Sequence, residues 1–176
     1  MDRSILVTGV PGSGKSEVCE ELKRLGHNAF DIDLIPEMRL VVDKSTGRIS
    51  AAYDNRNLAS VKQRSFLCDK TRLHDFINRN GRSMVFYCGN ASNIDELLSL
   101  FDATLLLKAS ESVLLERLKT RTSNNFARSP EIQEWILGWK KSWEDRLIEK
   151  GAVAVDADRS IHEVASDVVE KGRSPG

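Results

Sequence analysis

Gly9-Val10-Pro11-Gly12-Ser13-Gly14-Lys15-Ser16 follows the apolar run Ser4-Ile5-Leu6-Val7-Thr8. It leads into Lys15 to Leu25, where Val18, Cys19, Leu22 and Leu25 recur at helical spacing before Gly26. The run before the octet reads as a buried strand, and the segment after it as a helix stopped by glycine. The octet itself fits the pattern G-x-x-x-x-G-K-[ST]. Gly9, Gly12 and Gly14 permit torsions and close approaches that side chains would block. Successive amide N–H groups then point inward, and the following helix adds the positive end of its dipole, so the turn cradles phosphate oxygens. Lys15 is expected to reach β- and γ-phosphates and the Ser16 hydroxyl to ligate magnesium. Pro11, Ser13 and Glu17 complete the stretch expected to line a bound ATP. The bland alternative, a glycine-rich turn with an unrelated lysine, leaves the flanking strand and helix unexplained.

Outward from the loop, strands and helices alternate. Asn28 to Ile32 reads as a second strand, Ser83 to Cys88 as a third, Ala103 to Leu107 as a fourth and Ala152 to Asp156 as a fifth. Pro36 suits a first helical turn, and Asp43 to Arg48 reads as a turn, the tip of a hairpin between Leu40-Val42 and Ile49-Ala51. Leu58 to Asn80 reads as helical with a break near Cys68-Asp69. Further helices are expected from Ser92, from Ser110, from Pro130 to about Glu149, and from Ile161 to Val169, with a frayed tail over 171–176. Most strands are continuous apolar runs, which implies a parallel sheet covered by helices on both faces. Residues 1–170 are expected to form one domain.

Bulk composition narrows the function. The chain has 176 residues, with Lys plus Arg and Asp plus Glu at 26 each. A nucleic-acid binder usually carries a basic excess, so nucleic acid is not the expected partner. Cys19, Cys68 and Cys88 have no paired spacing and read as buried free thiols in a reducing compartment. No apolar window is long enough for a membrane span, and the N-terminus lacks a signal-peptide pattern. The expectation is a cytoplasmic protein, monomer or homodimer.

The loop Gly9 to Ser16, Asp31-Ile32-Asp33, Val85 to Gly89, Leu115 to Arg121 and Val155 to Ser160 together resemble the small P-loop kinases. That branch includes the adenylate, shikimate and gluconate kinases, and the chain is similar to small bacterial AAA-type ATP-binding proteins. The resemblance implies an α/β three-layer sandwich, a five-stranded parallel sheet in order 2-3-1-4-5, an acceptor region at about 34–80 and a small lid at about 119–131. It also implies phosphotransfer from ATP to a small-molecule acceptor: a nucleoside, a nucleotide or a shikimate- or gluconate-like hydroxyl compound.

Individual residues carry the same reading. Asp31 and Asp33 lie one apart at the carboxyl end of a strand, where ligands collect in open α/β sheets. Asp31 would lean to magnesium, and Asp33 to the acceptor proton. A solvated turn, or Asp33 capping the next helix, is the alternative. Arg117 and Arg121 are four apart and share a helix face. With Arg128 the resemblance implies a set that grips ATP phosphates, with Arg121 acting on the transferring group; ion pairing with Glu111 and Glu116 is the plain alternative. The resemblance sets Arg159 against adenine. It also leaves a gap, because the strand ending Tyr87-Cys88-Gly89-Asn90 lacks a closing aspartate, and Gly89 is expected to offer its amide to the acceptor instead. The gap, with the Trp135, Trp139 and Trp143 series, keeps open a second function, a slow ATPase switch without a small acceptor. The tryptophans themselves read as core or interface packing.

Overall fold

The computed structural model describes residues 2–50, 53–81, 83–120, 122 and 126–174. In chain order the elements are β1 (Arg3–Thr8), α1 (Lys15–Arg24), β2 (Asn28–Asp31), β3 (Arg39–Asp43), α2 (Leu58–Lys62), β4 (Arg64–Cys68) and α3 (Lys70–Asn80). They continue with β5 (Met84–Cys88), α4 (Ile94–Leu97), β6 (Ala103–Lys108), α5 (Glu111–Thr120), α6 (Pro130–Glu149), β7 (Val153–Asp156) and α7 (Ile161–Arg173).

The main sheet runs β2-β5-β1-β6-β7, and all its pairs are parallel. Numbered along the whole chain, the order is therefore 2-5-1-6-7 rather than 2-3-1-4-5. The difference arises because β3 and β4 form a separate antiparallel pair that intervenes between the second and third strands of the main sheet. Side-chain alternation divides each apolar run between two cores. Ile5, Val7, Phe86 and Leu107 pack with Val18 and Leu22 of α1 and Val164 and Val168 of α7. Leu6, Val85, Tyr87 and Leu106 pack with Leu73 and Ile77 of α3 and Ile94 and Leu97 of α4. Cys88 stands opposite both Val7 and Asp31, so β1, β5 and β2 end level with one another. The Gly9 loop, Asp31 and Gly89 thereby share one edge of the sheet.

Two local expectations are corrected. The segment Arg64–Cys68, read within a helix, is a strand paired with β3. Its partners are distant: Phe66 N and O bond to Ser92 Oγ and N, and the Asn93 side chain both accepts from Cys68 N and donates to Cys68 O, each at 3.0 Å. The expected pairing of Leu40-Val42 with Ile49-Ala51 reduces, among the described residues, to one bridge, Val42 to Ile49. The expected frayed tail also starts too early, since α7 continues to Arg173. Arg3 Nη1 donates to the carbonyls of Gly172 at 2.7 Å and Ser174 at 2.6 Å, capping that end. All three cysteines are buried and free. Among the described residues, no helix is long and apolar enough to cross a membrane.

A carboxylate clamp joins α1 to α7. Glu21 accepts from Arg24 Nε and Nη2 at 2.7 and 2.6 Å, and His162 Nδ1 lies 2.9 Å from its Oε1. The Arg24 and His162 hydrogen bonds pull the Glu21 carboxyl down to about 2. A depressed carboxylate contributes stability that is present above its unfolded value and lost as pH falls through the folded one. Glu21→Gln is therefore expected to flatten the fall of Tm between about pH 4.5 and 2, measured by thermal melts across pH.

Candidate active site

The cradle is set by backbone geometry. Gly14 caps α1 at φ 97° and ψ 16°, a left-handed conformation that L side chains rarely adopt. A Cβ on Gly9 would lie 2.4 Å from Ser13 Oγ, so the loop closes only around a bare backbone at that point. Ser13 Oγ is buried with no hydrogen-bond partner among the described residues. The first amides of α1 have no intrahelical acceptor and face an incoming anion. Lys15 Nζ rests over the loop, donating to the carbonyls of Gly9 at 2.8 Å and Val10 at 3.1 Å. These features fit a polyphosphate.

Beside the cradle, Ser16 Oγ donates to Asp31 Oδ2 at 2.7 Å, and Asp31 Oδ1 accepts from Asp33 N at 3.1 Å. Hard oxygens so paired suit magnesium. Asp33 Oδ1 accepts a long bond from Asn90 N at 3.4 Å. Burial pushes the Asp33 carboxyl up, Asp31 adds to this, and Lys15 and Arg39 oppose it. Gly89 does not offer its amide to an acceptor as expected, because that N–H donates to Val7 O at 3.0 Å. The residue is small for another reason: a Cβ there would sit 2.3 Å from Ile32 Cγ1.

Lys15, Ser16 and Asp33 open onto a cavity of about 1000 Å³. Pro11, Gly12, Gly14, Glu17 and Arg117 also line it. The expected arginine set is not assembled around it among the described residues. Arg117 lies against the cradle, with Nη1 3.3 Å from Ser13 O and Nη2 2.8 Å from Ala157 O. Arg121 lies outside the described residues, as does part of the expected lid. Arg128 is exposed and is not among the residues that line the cavity. Arg159 is taken up by Asp167, at 2.6 Å, and by the Asp156 carbonyl.

A family model described as an AAA domain matches residues 5–137. The chain belongs to that family. This AAA-domain protein is 26% identical over 127 residues to the adenylate kinase isoenzyme 6 homolog of Plasmodium falciparum. That match takes in 67% of this chain and spans 65% of the relative's length. In three dimensions it is similar to a shikimate kinase from Acinetobacter baumannii in complex with shikimate, with a TM-score of 0.61, 14% identity, and 97% and 93% of the two chains covered. A gluconokinase from Sinorhizobium meliloti gives a TM-score of 0.54 at 22% identity, covering 97% and 91%. The fold is that of the P-loop small-molecule kinases.

The rest of the cavity was not assigned from sequence. The AAA-domain protein turns Trp135, Trp139 and Trp143 of α6 to its wall, along with Tyr53, Phe66 and Phe126. The tryptophans also pack against the two cores, so the packing expectation holds for part of each ring. Arg39 stacks its guanidinium 4.7 Å above the Phe66 ring and lines the cavity. The i, i+4 spacing of the tryptophans marked one face without saying what it meets. Lys15→Ala is expected to weaken a non-hydrolysable ATP analogue by about 1.5–3 kcal/mol, roughly tenfold to a hundredfold in Kd, measured by calorimetry. The melting temperature without ligand should hardly move, since Lys15 Nζ bonds to carbonyls of its own loop.

Proposed function

We propose that this AAA-domain protein is an ATP-dependent phosphotransferase that moves the γ-phosphoryl group to a hydroxyl of a small-molecule acceptor. The observation that carries the reading is Asp33. Its half-buried carboxylate opens onto the same cavity as Lys15 and Ser16, leaving room for an acceptor beside the phosphate cradle. Magnesium held by Ser16 and Asp31 would neutralise charge on the phosphates. The acceptor oxygen forms a bond to the γ-phosphorus as the bond from that phosphorus to the β–γ bridging oxygen breaks. The bridging oxygen keeps the electron pair and leaves with ADP, and the hydroxyl proton passes to Asp33. Lys15 swings from its loop carbonyls to the phosphates, and Arg117, already at the cradle, adds positive charge. Arg121 is assigned to the transferring group, Arg128 to the nucleotide on lid closure, and Arg159 to the adenine, for which it would leave Asp167. The family, the fold and the kinase relatives support this reading. It asks for no nucleic acid or membrane, and it suits a cytoplasmic monomer or homodimer.

The test is acceptor-dependent ADP release in a coupled assay across nucleosides, nucleotides, sugar acids and shikimate. ATP turnover that no acceptor changes would refute the proposal in favour of a slow ATPase switch. Asp33→Asn is expected to lower kcat about 10²–10⁴-fold while ATP-analogue binding persists. Because Asp33 must be ionised to accept a proton and burial raises its pKa, activity should fall with decreasing pH above the ordinary carboxylate value of 3.8. A kcat/KM profile over pH checks this; in Asp33→Asn that acid limb should vanish.

A further inference from the structure

We propose that the acceptor is a neutral hydroxyl compound carrying a flat aromatic ring, of which a nucleoside is the model, and that the ring stacks on the α6 tryptophans. The proposal rests on the phosphotransfer reading above and narrows its acceptor.

Three observations meet in one cavity. The first is the wall. Trp135, Trp139 and Trp143 follow one another edge to face, with centroids 5.8 and 6.1 Å apart. Tyr53, Phe66 and Phe126 make a second run at 5.3 and 6.4 Å, and both runs line the cavity that holds Asp33. An open-chain sugar acid, which hydrogen-bonds along its whole length, gains less from such walls than a flat ring does. A base gains from each ring face, because stacking accepts any flat π system.

The second is a pair of buried polar atoms on residues of that wall. Trp139 Nε1 and Asn90 Oδ1 find no hydrogen-bond partner among the described residues. Each has almost no exposed surface in the ligand-free protein, so a ring with complementary edges satisfies it only as the wall shifts to admit one. A heteroaromatic ring offers both kinds of edge.

The third is Asp33. A carboxylate at the transfer point repels an acceptor phosphate set against it, which is already an ionised nucleophile and needs no base. Arg39, Lys44, Arg64 and Arg146 also line the cavity, so the monophosphate arm of the test below decides whether they draw a phosphate in. The carboxylate suits a hydroxyl, whose proton has to go somewhere. Arg39, stacked on Phe66, lines the same cavity as Asp33. The transfer is the balanced step given above, with the hydroxyl oxygen of the ring-bearing compound as nucleophile.

The experiment pairs the ADP-release assay with tryptophan-fluorescence titrations at saturating non-hydrolysable ATP analogue and magnesium, which keeps nucleosides out of the ATP site. Nucleosides are expected to raise ADP release and to quench tryptophan emission saturably. Gluconate, shikimate and nucleoside 5′-monophosphates at the same concentration are expected to do neither. Trp139→Leu should raise the nucleoside KM about tenfold or more while KM for ATP changes little, and Trp139→Phe, which keeps a ring, should raise it less. If Trp139→Leu does not fold, the Phe variant and the wild-type titrations carry the decision. Turnover of gluconate or shikimate with no response to any nucleoside overturns the proposal and leaves the kinase reading intact. Saturable quenching by nucleosides without ADP release from any acceptor upholds the ring site and overturns the kinase reading. A monophosphate used in preference to its nucleoside overturns the assignment of a neutral hydroxyl, and absence of both quenching and turnover with nucleosides overturns the ring site.

Discussion

The hydrogen bond from Ser16 Oγ to Asp31 Oδ2, 2.7 Å long, ties the first turn of α1 to the last residue of β2. Everything at the site hangs from it. Asp31 is only 9% exposed, and a carboxylate that buried needs donors. It has two, the Ser16 hydroxyl and the amide of Asp33, so the same carboxylate fixes both the phosphate loop and the residue proposed as base. The positive end of α1 lies beside it and adds to its stability. A cation entering here would meet oxygens already gathered, with little to rearrange but one hydroxyl.

The absent aspartate at the end of β5 takes on a different meaning from this bond. β5 ends at Cys88, and Cys88 stands in register with Asp31 on the neighbouring strand. The carboxylate is therefore not missing from the sheet edge. It is displaced sideways by one strand spacing, about 4.8 Å. Gly89 follows from the same crowding, since Ile32 of the Asp31-Ile32-Asp33 turn occupies the space a side chain there would need.

What the sequence made legible is what short-range chemistry fixes. The loop, the main-sheet strands and α6 announce themselves through glycine spacing, apolar runs and Pro130. Asp31 and Asp33 announce themselves by standing at a strand end. The failures all involve partners far along the chain. β4 lies in a helix-like window, and its pairing with β3, with further bonds to Ser92 and Asn93, each some 25 residues away, makes it a strand. Helical spacing sets Arg117 and Arg121 on one face, but the carbonyls of Ser13 and Ala157 decide where the Arg117 guanidinium rests. Arg159 pairs with Asp167, in the second turn of α7, a contact that spacing alone does not announce.

The same limit explains why the acceptor half of the site was the harder half to read. Of the eleven Phe, Trp and Tyr residues in the chain, six line one cavity. They come from three separate stretches, so no window of sequence shows them together. Packing alone is a poor account of that gathering. Apolar surface left facing an open cavity forgoes about 25 cal/mol for each Å² not removed from water. A fold that needed these rings only as filler would be more stable with them turned fully into either core. The three tryptophans are instead only partly buried against the core, and all three also line the cavity that Lys15 and Asp33 share. Ring surface left partly exposed in this way is surface that a flat ligand would cover.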